Sequence, residues 1–249
     1  MHTYKKGVSL LLRDSLDTTE VNAQNESSTE KHVCVTDHRA TVREKVGDKI
    51  FEYTGGSFFQ NNNSVLVSLT DYVCNAIFSP SALASAAPAP THLVDAYCGS
   101  GLFAISLSEH FTTIAGIELS SDSIKFATRN ALLNGLPEGK CSFRAGDAAN
   151  IFSTVGEFPR DCTALIIDPP RKGCDDNFIE QLLEFRCRTV IYVSCNVHTQ
   201  ARDVGNILRR SADSQGAARG GYVLESLRGL DLFPQTAHVE SVAVLRLIT

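Results

Sequence analysis

Two short unbroken apolar runs, Ala164-Leu165-Ile166-Ile167 and Val190-Ile191-Tyr192-Val193, have the make-up of strands buried on both faces. Between them Phe178, Ile179, Leu182, Leu183 and Phe185 recur at helical spacing. Strand, helix and strand at this length form a crossover unit, which sets the two strands parallel with their C-terminal ends on one rim. The same alternation runs upstream. Leu93 to Tyr97 reads as a strand followed by a helix to His110. Thr113 to Glu118 is a strand followed by a helix to Asn134, and a further strand lies near Ser142-Phe143-Arg144. Downstream come a helix carrying Val204, Ile207 and Leu208 and two closing strands, Tyr222 to Leu224 and Val239 to Leu247, with no clear helix between them. The pattern predicts an α/β fold, a seven-stranded doubly wound Rossmann-like sheet whose ligands bind at the carboxyl rim.

The first fifty residues depart from this alternation. Asp14 to Lys31 is rich in Ser, Thr, Asn and Glu and has too little apolar surface to bury, so residues 14–31 are expected to form a mobile loop. Val8 to Leu12 and Cys34-Val35-Thr36 are strand candidates on either side, and Glu44 to Tyr53 reads as a hairpin turning at Gly47-Asp48. Residues 1–57 thus read as a small antiparallel β remnant of a larger β region, with further material expected before Met1. Residues 58–249 form the main domain. An Asn in Asn61-Asn62-Asn63 caps a helix that buries Val65, Leu66, Leu69, Val73 and Ile77, and Pro80 to Pro90 reads as a linker.

Composition narrows the function classes only slightly. A net charge of −5 gives no global electrostatic case for nucleic acid, although the C-terminal third is locally basic, its arginines facing only Asp203, Asp213 and Glu225. The eight cysteines include no CxxC pair and no Cys/His cluster at ligand spacing, which argues against a metal centre. No secretory signal or bilayer-length apolar run is visible, so an intracellular protein is expected, its compartment unresolved.

The chemistry-bearing residues collect at strand ends. Asp95-Ala96-Tyr97-Cys98-Gly99-Ser100-Gly101 runs from a strand into a glycine loop that opens a helix, with Tyr97 placed to stack on an adenine. Glu118 ends the next strand, where it can accept from two ribose hydroxyls, and Asp147 follows the third strand. Gly99-x-Gly101-x-x-Ala104 also satisfies a loose dinucleotide pattern, which leaves a nicotinamide oxidoreductase as an alternative. Asp168-Pro169-Pro170-Arg171 is a rigid turn that can frame a planar heterocycle, and Cys195 ends the strand beside it. A thiolate there could add to carbon 6 of a uracil and activate carbon 5, and Glu240, entering the last strand, could remove the carbon-5 proton.

Taken in order, Phe58-Phe59-Gln60-x-Asn62, Asp95-x-Tyr97-Cys98-Gly99-x-Gly101, Glu118, Asp168-Pro169-Pro170-Arg171-x-Gly173, Ser194-Cys195-Asn196 and Phe233-Pro234-Gln235-Thr236-x-His238-x-Glu240 resemble the RNA uracil-5-methyltransferase family, most closely its fungal-type tRNA members. The resemblance covers Tyr53 to Thr249. It implies that 58–249 is an S-adenosylmethionine-dependent methyltransferase domain acting on a loop uridine of tRNA. Cys195 would be the nucleophile and Glu240 the base, and Gln60, Tyr97, Glu118 and Asp168 would line the S-adenosylmethionine site. A catalytically silent RNA-binding scaffold that keeps the cofactor fold is the remaining alternative.

Overall fold

The computed structural model describes residues 12–17, 31–78, 88–146, 152, 155–213 and 220–248. Its strands are β1 (Arg13–Leu16), β2 (His32–Val35), β3 (Thr41–Val46), β4 (Lys49–Thr54), β5 (His92–Ala96), β6 (Thr113–Glu118), β7 (Cys141–Ala145), β8 (Thr163–Ile167), β9 (Thr189–Ser194), β10 (Tyr222–Leu230) and β11 (Glu240–Leu247). Its α-helices are α1 (Asn63–Phe78), α2 (Leu102–Ser106), α3 (Ser121–Leu133), α4 (Asp176–Phe185) and α5 (Val197–Asp213).

Seven strands make one sheet in the order β10-β11-β9-β8-β5-β6-β7. β7, β6, β5, β8 and β9 run parallel, whereas β11 inserts antiparallel between β9 and β10. The antiparallel strand has a consequence for chemistry. The start of β11 arrives on the rim where the parallel strands end, so Glu240 meets residues that close β8 and β9.

Side chains alternate between two apolar layers. Leu93, Ile114, Ile166, Ile191, Val193 and Val242 pack with α1, α2 and the β3–β4 hairpin on one face. Val94, Ile117, Leu165, Tyr192 and Leu245 pack with α4 and α5 on the other. β8 and β9 are buried along their whole length, as their unbroken apolar runs require. Asp175 caps α4 by accepting from the Phe178 N–H at 2.8 Å, and Ser120 caps α3 from Ser123.

The hairpin turns at Gly47-Asp48 with Gly47 at φ +62°, the glycine-first pattern of a two-residue loop. Its outer edge is closed by a helix. Asn134 bonds the Ile50 N–H and C=O at 2.8 and 2.7 Å, and Asn130, one turn earlier, bonds those of Glu52 at 2.8 and 2.9 Å. The two amides occupy the positions that a neighbouring strand would fill.

The N-terminal expectation needs a correction. Arg13–Leu16 is strand, not the first part of a loop spanning 14–31, and it pairs antiparallel with β2. Backbone pairing places no demand on apolar side chains there, and the Ser15 hydroxyl accepts the Arg43 N–H at 3.0 Å, fastening β1 to β3. Val8 to Leu11, residues 18–30, most of the Pro80–Pro90 segment and Asp147 lie outside the described residues. β10 is also longer than its apolar start suggested, because β11 pairs with it from Glu240 to Leu247.

Candidate active site

The glycine loop sits at the end of β5. Tyr97 takes φ +64°, a left-handed conformation rare for a residue with a Cβ, and Gly99 and Gly101 follow at φ +53° and +92°. The left-handed φ of Gly101 favours glycine, and a Cβ there would also come within 2.9 Å of the movable Ile105 Cδ1. A Cβ at Gly99 would meet nothing within 4 Å, so open space lies over the loop, where a ligand can approach the backbone. Asp95, fully buried, anchors the loop by accepting the Ala104 N–H at 2.9 Å. Glu118 accepts from Gly99 N–H at 3.3 Å and Ser120 N–H at 2.9 Å, which fixes its carboxylate beside the loop. Tyr97 packs its ring 5.7 Å from that of Phe178.

On the adjoining part of the rim, Asp168 follows β8 and Cys195 follows β9. β11 pairs with β9 in a register whose outermost pair is Ser241 with Ser194, so one step further sets Glu240 opposite Cys195. Such facing positions bring side chains within reach of each other. Gln200 fixes the junction, its Nε2 donating to Tyr192 O at 2.8 Å and Ser241 O at 3.1 Å. Asn196 caps α5 by accepting the His198 N–H at 3.1 Å, which places the positive end of a 17-residue helix just beyond the thiol.

Electrostatics set this corner apart. Glu240 is fully buried, and neither carboxylate oxygen has a hydrogen-bond partner among the described residues. Burial, reinforced by the charge of Asp168, pushes it up to about 8. Burial likewise raises Asp168 to about 7 and Asp95 to about 8. The Cys195 thiol is raised by burial and by the charge of Glu240, while the neighbouring Arg171 guanidinium opposes them. Crowded carboxylates short of donors beside an open glycine loop suit a ligand that brings positive charge, such as the sulfonium and ammonium of S-adenosylmethionine.

Five of the six predicted site residues, Tyr97, Glu118, Asp168, Cys195 and Glu240, therefore share one rim. Gln60 comes from a different element, the connection between β4 and α1. It is buried there, next to Phe59, which stacks on Tyr53 at 4.5 Å, while Asn62 Nδ2 reaches Asp231 O at 3.4 Å. Sequence reasoning missed the supports: Gln200, Asn130 and Asp203 are polar residues buried at or behind the site. Asp203, which the sequence presents only as one of the few acids among the arginines of the C-terminal third, is wholly enclosed. Among the described residues no cluster of His, Cys, Asp and Glu is arranged to hold a metal, all eight cysteines are free, and no helix is long and apolar enough to cross a membrane.

Comparison with known proteins is consistent with this geometry. Residues 4–247 match the tRNA (Uracil-5-)-methyltransferase family. The chain is 45% identical over 244 residues to a tRNA (uracil(54)-C(5))-methyltransferase of Schizosaccharomyces pombe, covering 98% of this chain and 42% of that protein. It is 40% identical to the Saccharomyces cerevisiae protein of the same name, covering 98% of this chain and 41% of the relative. The chain thus spans about two fifths of the length of these curated relatives. Among solved structures it resembles the Pyrococcus abyssi tRNA (uracil-54, C5)-methyltransferase in complex with S-adenosyl-L-homocysteine, with a TM-score of 0.64, 25% identity, and coverage of 89% of this chain and 48% of that one. The pattern read from the rim and the matches along its length lead to one conclusion: the chain belongs to the tRNA (uracil-5-)-methyltransferase family.

Proposed function

We propose that this protein transfers a methyl group from S-adenosylmethionine to carbon 5 of a uridine in tRNA, uridine 54 by analogy with the named relatives. The observation that carries the reading is the placement of Cys195 and the buried, donor-free Glu240 one step beyond the last paired residues, Ser194 and Ser241, of two hydrogen-bonded strands. The cofactor supplies an electrophilic methyl on sulfur. Residues lining the open glycine loop would hold it, with Glu118 toward its ribose and Tyr97 toward its adenine. Gln60 and Asp168 would complete the site.

The protein's own residues account for the remaining steps. Arg171 and the start of α5 favour the Cys195 thiolate. Its sulfur adds to carbon 6 of the uracil, and the ring electrons collect at carbon 5, which becomes the nucleophile that takes the methyl. Glu240 then removes the carbon-5 proton, the carbon 5–carbon 6 double bond re-forms, and the carbon–sulfur bond breaks to release the thiolate. A carboxyl whose affinity for protons is raised into the neutral range by burial suits that exchange. The base must leave its stack to reach this corner, so a single-stranded loop is the fitting substrate. A nicotinamide oxidoreductase would leave Cys195 and Glu240 without a task.

The test uses tRNA containing 5-fluorouridine. Fluorine cannot leave as a cation, so incubation with S-adenosylmethionine should lock protein to RNA as a slow band on a denaturing gel. That band should vanish in Cys195→Ala, whose cofactor affinity should stay within about threefold of wild type. Absence of the band from wild-type protein that still binds cofactor would remove the methylating function and leave a silent cofactor-binding scaffold.

A further inference from the structure

The turn bearing Asp168 and Arg171 is gripped from one direction, by α5 and its capping residue Asn196, which directly follows Cys195. Asn196 Nδ2 and Thr199 Oγ1 donate to Arg171 O at 2.9 and 3.1 Å. Arg202 Nη2 donates to Lys172 O at 2.8 Å. Asp203 Oδ2 accepts from the Cys174 N–H at 2.8 Å and from the Tyr192 hydroxyl at 2.7 Å, while its Oδ1 takes Arg202 Nε at 2.8 Å. The fit is tight: Gly173 has φ +80°, and a Cβ there would clash with Asp203 Oδ2. Three donors converge on the two oxygens of a fully buried Asp203. A carboxylate can accept at both oxygens, whereas an asparagine of the same shape cannot.

We propose that Asp203, assisted by Asn196, Thr199 and Arg202, is a positioning residue that locks the Asp168–Cys174 turn to the Cys195 strand end and so holds the Arg171 guanidinium at the thiol. This rests on the reading of Cys195 as the nucleophile. The helix that carries the clamp starts two residues after Cys195, so the turn and the thiol move as one body. If the clamp is loosened, Arg171 drifts while Asp168 and Glu240, the two acids acting on the thiol, continue to oppose its ionisation.

The test is the pH dependence of Cys195 alkylation by iodoacetamide without RNA or cofactor, read by mass spectrometry of the peptide containing Cys195. Wild type, Asp203→Asn and Thr199→Val are compared, with thermal melting and tRNA methylation measured alongside. In Asp203→Asn the alkylation midpoint should rise by about half a pH unit or more, and kcat should fall about tenfold with KM changed less than about threefold. Thr199→Val, which removes the hydroxyl shared between Arg171 O and Asn196 O without changing charge, should shift the midpoint the same way by less. A merely structural role would lower the melting temperature and leave both midpoints where they were, which would overturn the proposal. A downward shift in Asp203→Asn would also overturn it, since that is the direction expected from simple removal of a negative charge. If Asp203→Asn does not fold, the midpoint of Thr199→Val alone decides. Alkylation involves neither substrate, so failure here is distinct from failure of the methyl-transfer reading, which would appear as a missing fluorouridine adduct.

Discussion

The two halves of the rim treat their polar groups in opposite ways. On the β5–β6 side the backbone has already supplied donors: Glu118 accepts two N–H groups, and one oxygen of Asp95 accepts a third. On the β8–β9–β11 side Glu240 is buried with both oxygens lacking a partner, and the Cys195 thiol lies between the opposing influences of Glu240 and Arg171. The remaining oxygen of Asp95, also unpaired, marks the border between them. Buried polar groups without partners are costly and uncommon. A half whose groups are satisfied is built to bind by fitting its ligand to a fixed frame. A half that keeps its groups unsatisfied holds them for bonds made and broken during reaction.

The largest effect should come from disturbing the reacting half. Glu240→Gln keeps the shape of the side chain and removes its capacity to take a proton. Turnover should fall about a thousandfold, while methylated RNA accumulates as a covalent adduct on a denaturing gel. At or below about pH 7, where Glu240 still holds its proton, cofactor affinity should change little, because the frame around the glycine loop is untouched. An adduct-free, fully active Glu240→Gln protein would give the proton transfer to some other group and dissolve the contrast between the halves.

The binding half should respond the other way. Asn130 is buried at 0% exposure, holds both backbone groups of Glu52, and donates to Ser100 O on the glycine loop at 3.0 Å. Asn130→Ala leaves three backbone groups without partners, a loss of about 3 kcal/mol and a melting temperature lower by about 6–12 °C. Cofactor binding should weaken with it, while the pH midpoint of Cys195 alkylation stays put. Equal damage to both readouts would mean that the two halves are one mechanical unit.

How much of this was legible depended on whether burial speaks through apolar residues. β8 and β9 were plain, because strands covered on both faces need unbroken runs such as Ala164 to Ile167. The site residues at strand ends were legible for a related reason: the ends of those runs locate the rim, and the residues just beyond them are Asp168 and Cys195. β1 was not, since Arg13-Asp14-Ser15-Leu16 is held by backbone pairing and a hydroxyl rather than by an apolar face. The clamp was illegible too. Arg202-Asp203 has the look of a solvated charge pair on an arginine-rich helix. A signal was present in its position: Asp203 adjoins Val204 and stands four before Ile207 on the buried side, where a charge needs partners. The partners themselves, a tyrosine hydroxyl on β9 and a backbone N–H after the turn, meet only in the folded chain.

The smallest effect, and the one that separates the halves most cleanly, is in pH. Asp95, Asp168 and Glu240 are raised by burial to about 8, 7 and 8 from ordinary values of 3.8, 3.8 and 4.5. The folded protein therefore holds these protons to higher pH than the unfolded chain does. Their contribution to stability is complete below about pH 4 and is lost as pH rises through 7 to 8, so the ligand-free melting temperature should fall between about pH 5 and 8. Glu240→Gln should show a shallower slope. The cofactor and its demethylated product differ in charge at sulfur, and ionised carboxylates favour the charged form. Calorimetric titration should therefore find the preference for S-adenosylmethionine over S-adenosylhomocysteine growing between about pH 6 and 8 as Asp168 and Glu240 lose their protons. A ratio flat across that range would mean that the reacting half does not feel the sulfonium, and that its unpaired carboxyls serve proton transfer alone.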